Sequence, residues 1–244
     1  MTPSLLAISV PVGDHITGKV FGLTVNVDDL IAVGIAGLIV VALGLWLRHQ
    51  VTSGVPGRLQ LVFETIVGWV ENQVRSTMGE RGLFIIPLAV TLFIFILLCN
   101  WLEILPTTYP GHHQLIPAPT GDINLAAALA ILVIVLVHVS WIRLSGWRSY
   151  VRHYFRPNAI FLPINVVEEI AKPLTLALRL FGNIFAGGLM LVLISDLPAK
   201  LVVPVPALDF VWKLFDGLFV APVQAFIFTL LTILYFDAAI SGGH

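Results

Sequence analysis

The amino-acid sequence predicts an all-α integral membrane protein with about five membrane-embedded helices and one interfacial amphipathic helix. Of its 244 residues, 58% are hydrophobic and only 11% are charged, whereas water-soluble domains carry about 25% charged residues. Mean hydropathy is +0.97, and the apolar residues form runs long enough to cross a bilayer. The formal net charge of −1 indicates no nucleic-acid partner, and a single cysteine, Cys99, provides no disulfide framework.

The first half of the chain contains two predicted spans with an amphipathic segment between them. We interpret the chain as one membrane domain that begins with an outer tail, residues 1–29, followed by a first span at 30–48. Residues 58–78 differ from a span, because charges recur among apolar residues at helical spacing, which predicts a helix lying in the interface. These charged residues are Arg58, Glu64, Glu71 and Arg75. The second predicted span covers residues 83–105.

The second half of the chain contains the remaining predicted spans. They are a span at 123–143, a long helix at 160–195 with an arginine near its centre, and a final helix at 207–240. We expect a bend in the final helix at Pro222, because proline cannot donate the hydrogen bond to the Leu218 carbonyl.

The segment 106–121 is rich in proline, threonine and glycine, which predicts a plain loop. It contains two adjacent histidines, His112 and His113, whose side chains point to different sides. No further ligand has a spacing that would help them to hold a metal ion. We therefore expect neither a metal site nor a cofactor.

The distribution of lysine and arginine predicts the orientation in the membrane. With five spans the two chain ends lie on opposite sides, and the loops on one side contain only Lys19 and Lys200. The other side collects Arg48, Arg58, Arg75, Arg81, Arg143, Arg148, Arg152 and Arg156. By the positive-inside rule the arginine-rich side is cytoplasmic, so we expect the N-terminus outside and the C-terminus in the cytoplasm.

The 160–195 helix contains a charge, Arg179, in the middle of an apolar stretch. Its nearest acidic neighbours in the sequence are Glu169, ten positions before it, and Asp196, seventeen positions after it. A lone cation in a membrane helix costs about 2.5–3.5 kcal/mol on insertion scales, so its presence points to a function. Two structural explanations stay open, which are snorkelling to the membrane surface and an ion pair with an acidic residue of another helix.

Polar residues share one face of this helix with Arg179. At 100° per residue they project within about 80° of one another, and the face consists of Glu168, Lys172, Thr175, Arg179, Asn183 and Ala186. Glu168 lies about 16 Å from Arg179 along the helix axis, which is roughly the distance from a membrane surface to the midplane. The polar face therefore predicts a path from the cytoplasmic surface to Arg179.

Ionisable residues approach the midplane from both sides, and neither group crosses the membrane by itself. From the outside come Glu103, Asp122, Asp209 and Asp216, and from the cytoplasm come Glu168 and Glu169. Two offset half-paths fit this pattern better than a continuous pore, which would have one lined axis. A proton could then cross only if another component carried it laterally from one half-path to the other.

The final helix has polar residues of its own. Lys213 has the spacing to pair with Asp209 or Asp216, so a neutralised pair at the outer interface stays an alternative to a proton path. Gln224 lies further along the same helix, and we place it near the midplane, where its amide can hydrogen-bond to a neighbouring helix.

Two motifs resemble subunit a of the rotary F-type ATP synthase of bacteria. The first is LALRLFGNIFAG around Arg179, preceded by EEIAKP, and the second is QAFIFTLLTILYF, which begins at Gln224. They occur in the order and spacing of that family, and the resemblance extends from about Arg58 to the end of the chain.

The resemblance implies a bacterial plasma-membrane subunit that conducts protons and is not an enzyme on its own. In this family the last two long helices lie as a tilted hairpin against a rotating ring of c subunits, and peripheral-stalk b subunits complete the stator. Each c subunit carries one carboxyl group that loads a proton from one half-channel and releases it into the other. Arg179 matches the essential arginine, and Asn183 and Gln224 match its polar neighbours.

The sequence departs from the family at two positions of the outer half-channel. Some members carry a glutamate nine residues after the arginine and a histidine seven residues before the glutamine, where this chain has Gly188 and Gly217. We expect other groups to serve the outer half-path here, and Asp216 is the first candidate.

Two other classes of membrane protein were compared with this interpretation. A secondary ion-coupled transporter, the main alternative, usually shows internal repeats and paired broken helices, and we find no internal repeat. A structural membrane scaffold would need no arginine at the midplane.

Overall fold

The computed structural model describes residues 17–20, 23–52, 54, 56–102, 119–155, 160, 162–195 and 205–241. Among these residues, five helical segments are long and apolar enough to cross a membrane. The predicted fold class, an all-α integral membrane protein, is confirmed. Within the predicted N-terminal tail the structure adds a small antiparallel hairpin, in which β1 (Thr17–Val20) pairs with β2 (Leu23–Asn26).

The first half of the chain forms three helices. α1 covers Val27–Gln50, and α2 covers Arg58–Met78, the bounds that the amphipathic pattern predicted. A 3-10 helix, Gly79–Ile85, joins α2 to α3, which covers Ile86–Leu102. Residues 103–105 of the predicted second span lie outside the described residues.

The junction between α2 and α3 depends on two glycines. Gly79 ends α2 with φ of +63°, a left-handed conformation that residues with a Cβ adopt only at a cost. At Gly82 a Cβ atom would lie 2.7 Å from the Met78 Cβ and 2.8 Å from a methyl group of Val74. The chain can therefore turn from the amphipathic helix into the span only with small residues at this point.

The middle of the chain contains the helix that carries Arg179. After a 3-10 turn at Pro119–Gly121, α4 covers Ile123–Ser145. Gly146, with φ of +80°, separates α4 from α5 (Trp147–Tyr154), a short helix that carries Arg148 and Arg152. α6 then runs over Leu162–Ser195 as one continuous helix.

The predicted final helix consists of three parts. α7 covers Val205–Phe215, a π-helical turn covers Asp216–Val220, and α8 covers Ala221–Ser241. The wider turn ends at Val220, two residues before Pro222, the residue at which the sequence predicted a bend. Short π-helical insertions shift the angular register of the side chains that follow them, and they are frequent at functional sites.

The core lies between α2, α3, α4, α6 and α8. The closest packing joins α4 to α6 and α3 to α8, and fully buried side chains on these helices interlock. They include Val74, Ile96, Val133, Leu176, Leu180, Phe228 and Phe236. Because lipid is as apolar as these residues, such helices are held together mainly by close van der Waals packing rather than by the hydrophobic effect.

Candidate functional site

Arg179 lies on the uncovered face of α6. Its side chain is exposed, whereas Leu176 and Leu180 beside it are buried. Among the residues that the structure describes, Arg179 has no hydrogen-bond or ion-pair partner, so the pairing with an acidic residue of another helix is not observed there. The exposed face also contains Glu168, Thr175 and Ala186. The arginine is thus directed away from the rest of its own chain.

The same face has little bulk around Arg179. A Cβ added to Gly182, one turn after the arginine, would lie more than 4 Å from every atom beyond the adjacent residues and backbone of α6. Glycine inside a helix costs about 0.5–1 kcal/mol relative to alanine, and nothing in the described part of the chain needs that space. The internal packing of the chain therefore gives no reason for glycine at this position.

The two predicted polar neighbours of Arg179 have different surroundings. Asn183 is half-buried on α6, while Gln224 on α8 is only 5% exposed. The amide nitrogen of Gln224 is buried without a hydrogen-bond partner among the described residues. A buried amide without a partner costs about 1–3 kcal/mol, so this donor is suited to an ordered water molecule between the helices.

Asp216 lies in the π-helical turn against the backbone of α6. One of its carboxylate oxygens is 3.7 Å from the position of a Cβ on Gly187. Two tryptophans form hydrogen bonds in the same region. The Trp212 indole donates to the Gly187 carbonyl at 3.3 Å. The Trp101 indole donates to the Gly217 carbonyl at 2.8 Å. The carboxylate therefore lies beside Gly187, the residue before Gly188, and Asp216 itself directly precedes Gly217. Gly188 and Gly217 are the two positions where the sequence departs from the family.

The ion pair that stayed an alternative on the final helix is not observed. Within the described residues, no ion pair joins Lys213 to Asp209 or to Asp216. The carboxylate of Asp216 is turned towards Gly187 on α6, while one oxygen of Asp209 is buried without a hydrogen-bond partner among the described residues. Correct i, i+4 spacing was therefore insufficient, because packing between helices directs these side chains elsewhere.

Of the other two predicted outer residues, the structure describes only Asp122, at the start of α4. Asp122 caps α4, since its carboxylate accepts hydrogen bonds from the Asn124 backbone at 2.9 Å and from the Asn26 side chain at 3.2 Å. This gives Asp122 a structural role in starting the helix. Glu103 lies outside the described residues, as do His112 and His113.

The two predicted cytoplasmic glutamates point in different directions. Glu168 is exposed on the face of Arg179. Glu169 is turned into the interface with α4, where Lys172 Nζ lies 2.6 Å from one carboxylate oxygen and His138 Nε2 lies 3.6 Å from the other. Lys172, predicted to share the polar face, donates a hydrogen bond to Glu169 instead of facing Arg179.

His138 was not identified from the sequence. The sequence feature that could have identified it is an ionisable residue within the apolar run of α4, because such residues in membrane helices are usually functional. Among the described residues, no group of three histidine, cysteine, aspartate or glutamate side chains could hold a metal ion.

Comparison with known proteins gives consistent similarities over most of the chain. The family described as ATP synthase A chain matches residues 30–237. A protein of Acidothermus cellulolyticus named ATP synthase subunit a is 52% identical, over 99% of this chain and 88% of that protein. Proteins of the same name from Mycobacterium tuberculosis and Bacillus subtilis are 47% and 35% identical, over 98% and 93% of this chain and 97% and 98% of their own lengths.

Proposed function

Because the chain belongs to the ATP synthase A chain family, we propose that it is the proton-conducting stator subunit of the membrane sector of an F-type ATP synthase. In this role the chain performs no catalysis by itself and couples proton flow to ATP synthesis. Its partners are a ring of c subunits, the peripheral-stalk b subunits and the lipid of a bacterial plasma membrane, with the N-terminus outside and the C-terminus in the cytoplasm.

The observation that carries this proposal is the exposed guanidinium of Arg179 in the middle of an apolar stretch of α6, without a partner among the described residues. An arginine retains its proton in proteins, so it can stabilise a passing carboxylate but cannot relay a proton. A carboxylate that arrives ionised beside Arg179 must take up its proton elsewhere. The arginine thereby separates the two half-paths and prevents leakage between them.

The cytoplasmic half-path leads from Arg179 towards Glu168 and Glu169. Glu168 is exposed on the same face as the arginine, which supports a water-accessible negative field at the exit. Glu169 is held at the interface with α4. Together they favour release of a proton from the ring into the cytoplasm.

The outer half-path runs between α6 and the final helix, with Asp216 as the main relay. Its position beside Gly187 supports this assignment, because a carboxylate there lies about 12 Å from Arg179 along the axis of α6. Asn183 and Gln224 extend the polar surface towards the arginine. Asp122 and Asp209, with Glu103 as a prediction from the sequence alone, are assigned to the outer end of this path, where their carboxylates can hydrogen-bond to water. Lys213 lies at the same end and is given no part in the relay.

The test is replacement of Arg179 in the assembled complex. Arg179→Lys keeps a positive charge but removes the planar, weakly hydrated guanidinium, so we expect ATP synthesis to be lost while the subunit still purifies with a multi-copy c ring. Arg148→Lys, at an exposed position on α5, is the matched control and should leave synthesis unchanged. Normal synthesis in membranes with the Arg179→Lys variant would contradict the proposal.

A further inference from the structure

A histidine, a glutamate and a lysine meet between α4 and α6. The His138 ring contacts the chain at both nitrogens: Nδ1 lies 2.7 Å from the Ile134 carbonyl oxygen, and Nε2 lies 3.6 Å from a carboxylate oxygen of Glu169. The second oxygen of Glu169 is occupied by Lys172 Nζ at 2.6 Å. The Glu169 carboxylate is therefore held between an ammonium group and an imidazole.

The hydrogen bonds decide where the imidazole carries its proton. A backbone carbonyl can only accept, so Nδ1 of His138 donates to Ile134 and carries a hydrogen. In a neutral imidazole the other nitrogen, Nε2, is then an acceptor. An acceptor facing an ionised carboxylate has no hydrogen to share, and the contact between His138 and Glu169 becomes attractive only when one further proton is present.

The surroundings favour holding that proton at this place. The side chains of His138 and Glu169 are about 21% and 15% exposed, so water reaches them but does not surround them. Tyr150 of α5 packs edge-on against the His138 ring, with ring centres 5.7 Å apart. Glu169 with Lys172 from α6, and Tyr150 from α5, are the titratable groups that the described contacts bring to this ring.

We propose that His138 and Glu169 form a proton-binding dyad that holds one proton either on Nε2 or on the facing carboxylate oxygen, which lie 3.6 Å apart. Its place on the cytoplasmic half-path rests on the proposed function: Glu169 precedes Arg179 by ten residues, about 15 Å along α6, towards the side predicted to be cytoplasmic. A proton arriving through water forms the N–H or O–H bond of the dyad and leaves again to water. No electrons are transferred, and Lys172 keeps the carboxylate in position throughout.

The experiment counts protons in the intact complex at rest, without ATP and without rotation. Proton uptake between two pH values is compared for the parent, His138→Gln, Glu169→Gln and the double variant, with infrared difference spectra identifying the carboxyl and imidazole signals. Since two groups that share one proton titrate as a unit, we expect each single variant to lose the same proton. The double variant should lose no more than either single variant.

A matched cycle uses His49, an exposed histidine at the end of α1. His49→Gln and Glu169→Gln should show additive losses, because these residues belong to different sites. Additive losses for His138→Gln and Glu169→Gln as well would overturn the dyad. If His138→Gln lowers the yield of complex, nitrogen NMR of labelled histidine in the unaltered chain decides: a single neutral His138 state across the pH range, with Glu169 ionised, would also overturn it.

The number of protons bound by the resting complex does not depend on the rotary mechanism. A failure of the Arg179 experiment would remove the dyad from a proton path but leave its shared proton measurable. Loss of the shared proton, with Arg179 still essential for ATP synthesis, would instead leave the proposed function intact.

Discussion

Arg179 is the residue on which the proposed mechanism depends. A positive charge on an apolar helix is costly, and in the described part of the chain no side chain neutralises it. Such a charge becomes favourable when a carboxylate from outside the chain comes close in a water-poor environment, where the attraction is stronger than in water. The same guanidinium is too tightly protonated to pass the proton on.

Gly182 tests whether a helix of another subunit passes close to this face. Gly182→Leu places a bulky side chain in a space that the chain itself leaves open, so the fold should be unchanged. We expect ATP-driven proton pumping in membrane vesicles to fall several-fold, because the c ring would be held away from Arg179. Gly34→Leu, at an equally open position on α1, is the matched control. Equal pumping by both variants would contradict close passage of the ring.

Asp216 tests the outer half-path. Asp216→Asn keeps the size of the side chain but removes its ability to take up a proton, so proton pumping should fall strongly while assembly is retained. Because no ion pair joins Lys213 to Asp216 among the described residues, Lys213→Met should leave the yield and pumping nearly unchanged. If Asp216→Asn lowers the yield and Lys213→Met restores it, the two residues form a structural pair instead.

At the scale of the elements, the π-helical turn Asp216–Val220 determines where the outer carboxylate points. The widened turn lies between α7 and α8 and coincides with a hydrogen bond from Trp101 of α3 to the carbonyl of Gly217, which is buried. On the other side, α7 leads into the turn and is bound to α6, because the Trp212 indole donates to the Gly187 carbonyl. The turn is thus connected to both α3 and α6.

Trp101→Phe tests this support. The change keeps an aromatic ring but leaves the Gly217 carbonyl without its donor, and a buried acceptor without a partner costs about 1–3 kcal/mol. We expect the purified complex to release subunit a at a lower temperature, and proton pumping to fall because Asp216 is less firmly placed. Trp46→Phe, at an exposed tryptophan of α1, is the control. Unchanged release temperature and pumping would show that the turn holds itself.

At the scale of the whole molecule, the orientation that the positive-inside rule predicts can be measured directly. Cys99 is the single cysteine of the chain and is buried, so Cys99→Ala provides a background for new thiols. Gly54→Cys lies in the exposed α1–α2 connection, and Ile123→Cys lies exposed at the start of α4. A membrane-impermeant thiol reagent added outside whole cells should label Ile123→Cys and spare Gly54→Cys. The opposite pattern would reverse the orientation and exchange the two half-paths.

Several elements of the fold were not predictable from the sequence. The β-hairpin and α5 are short, and their polar residues produce no hydropathy signal. The π-helical turn is a local change in the hydrogen-bond pattern of the final helix, and Pro222 predicted only a bend near it. Local composition is insensitive to features of this kind, because they depend on contacts with other helices.

The sequence by itself determined the number of spans, the bounds of the amphipathic helix α2 and the position of Arg179 at the centre of α6. These are properties of single segments, since hydropathy, helical period and charge can be evaluated without knowing the neighbours. Only the tertiary structure decided which face of α6 stays uncovered and which adjacent glutamate turns inward to His138. It also decided that Asp216 faces Gly187 rather than Lys213. Those outcomes depend on the rotation and spacing of packed helices, and a single helix contains no information about them.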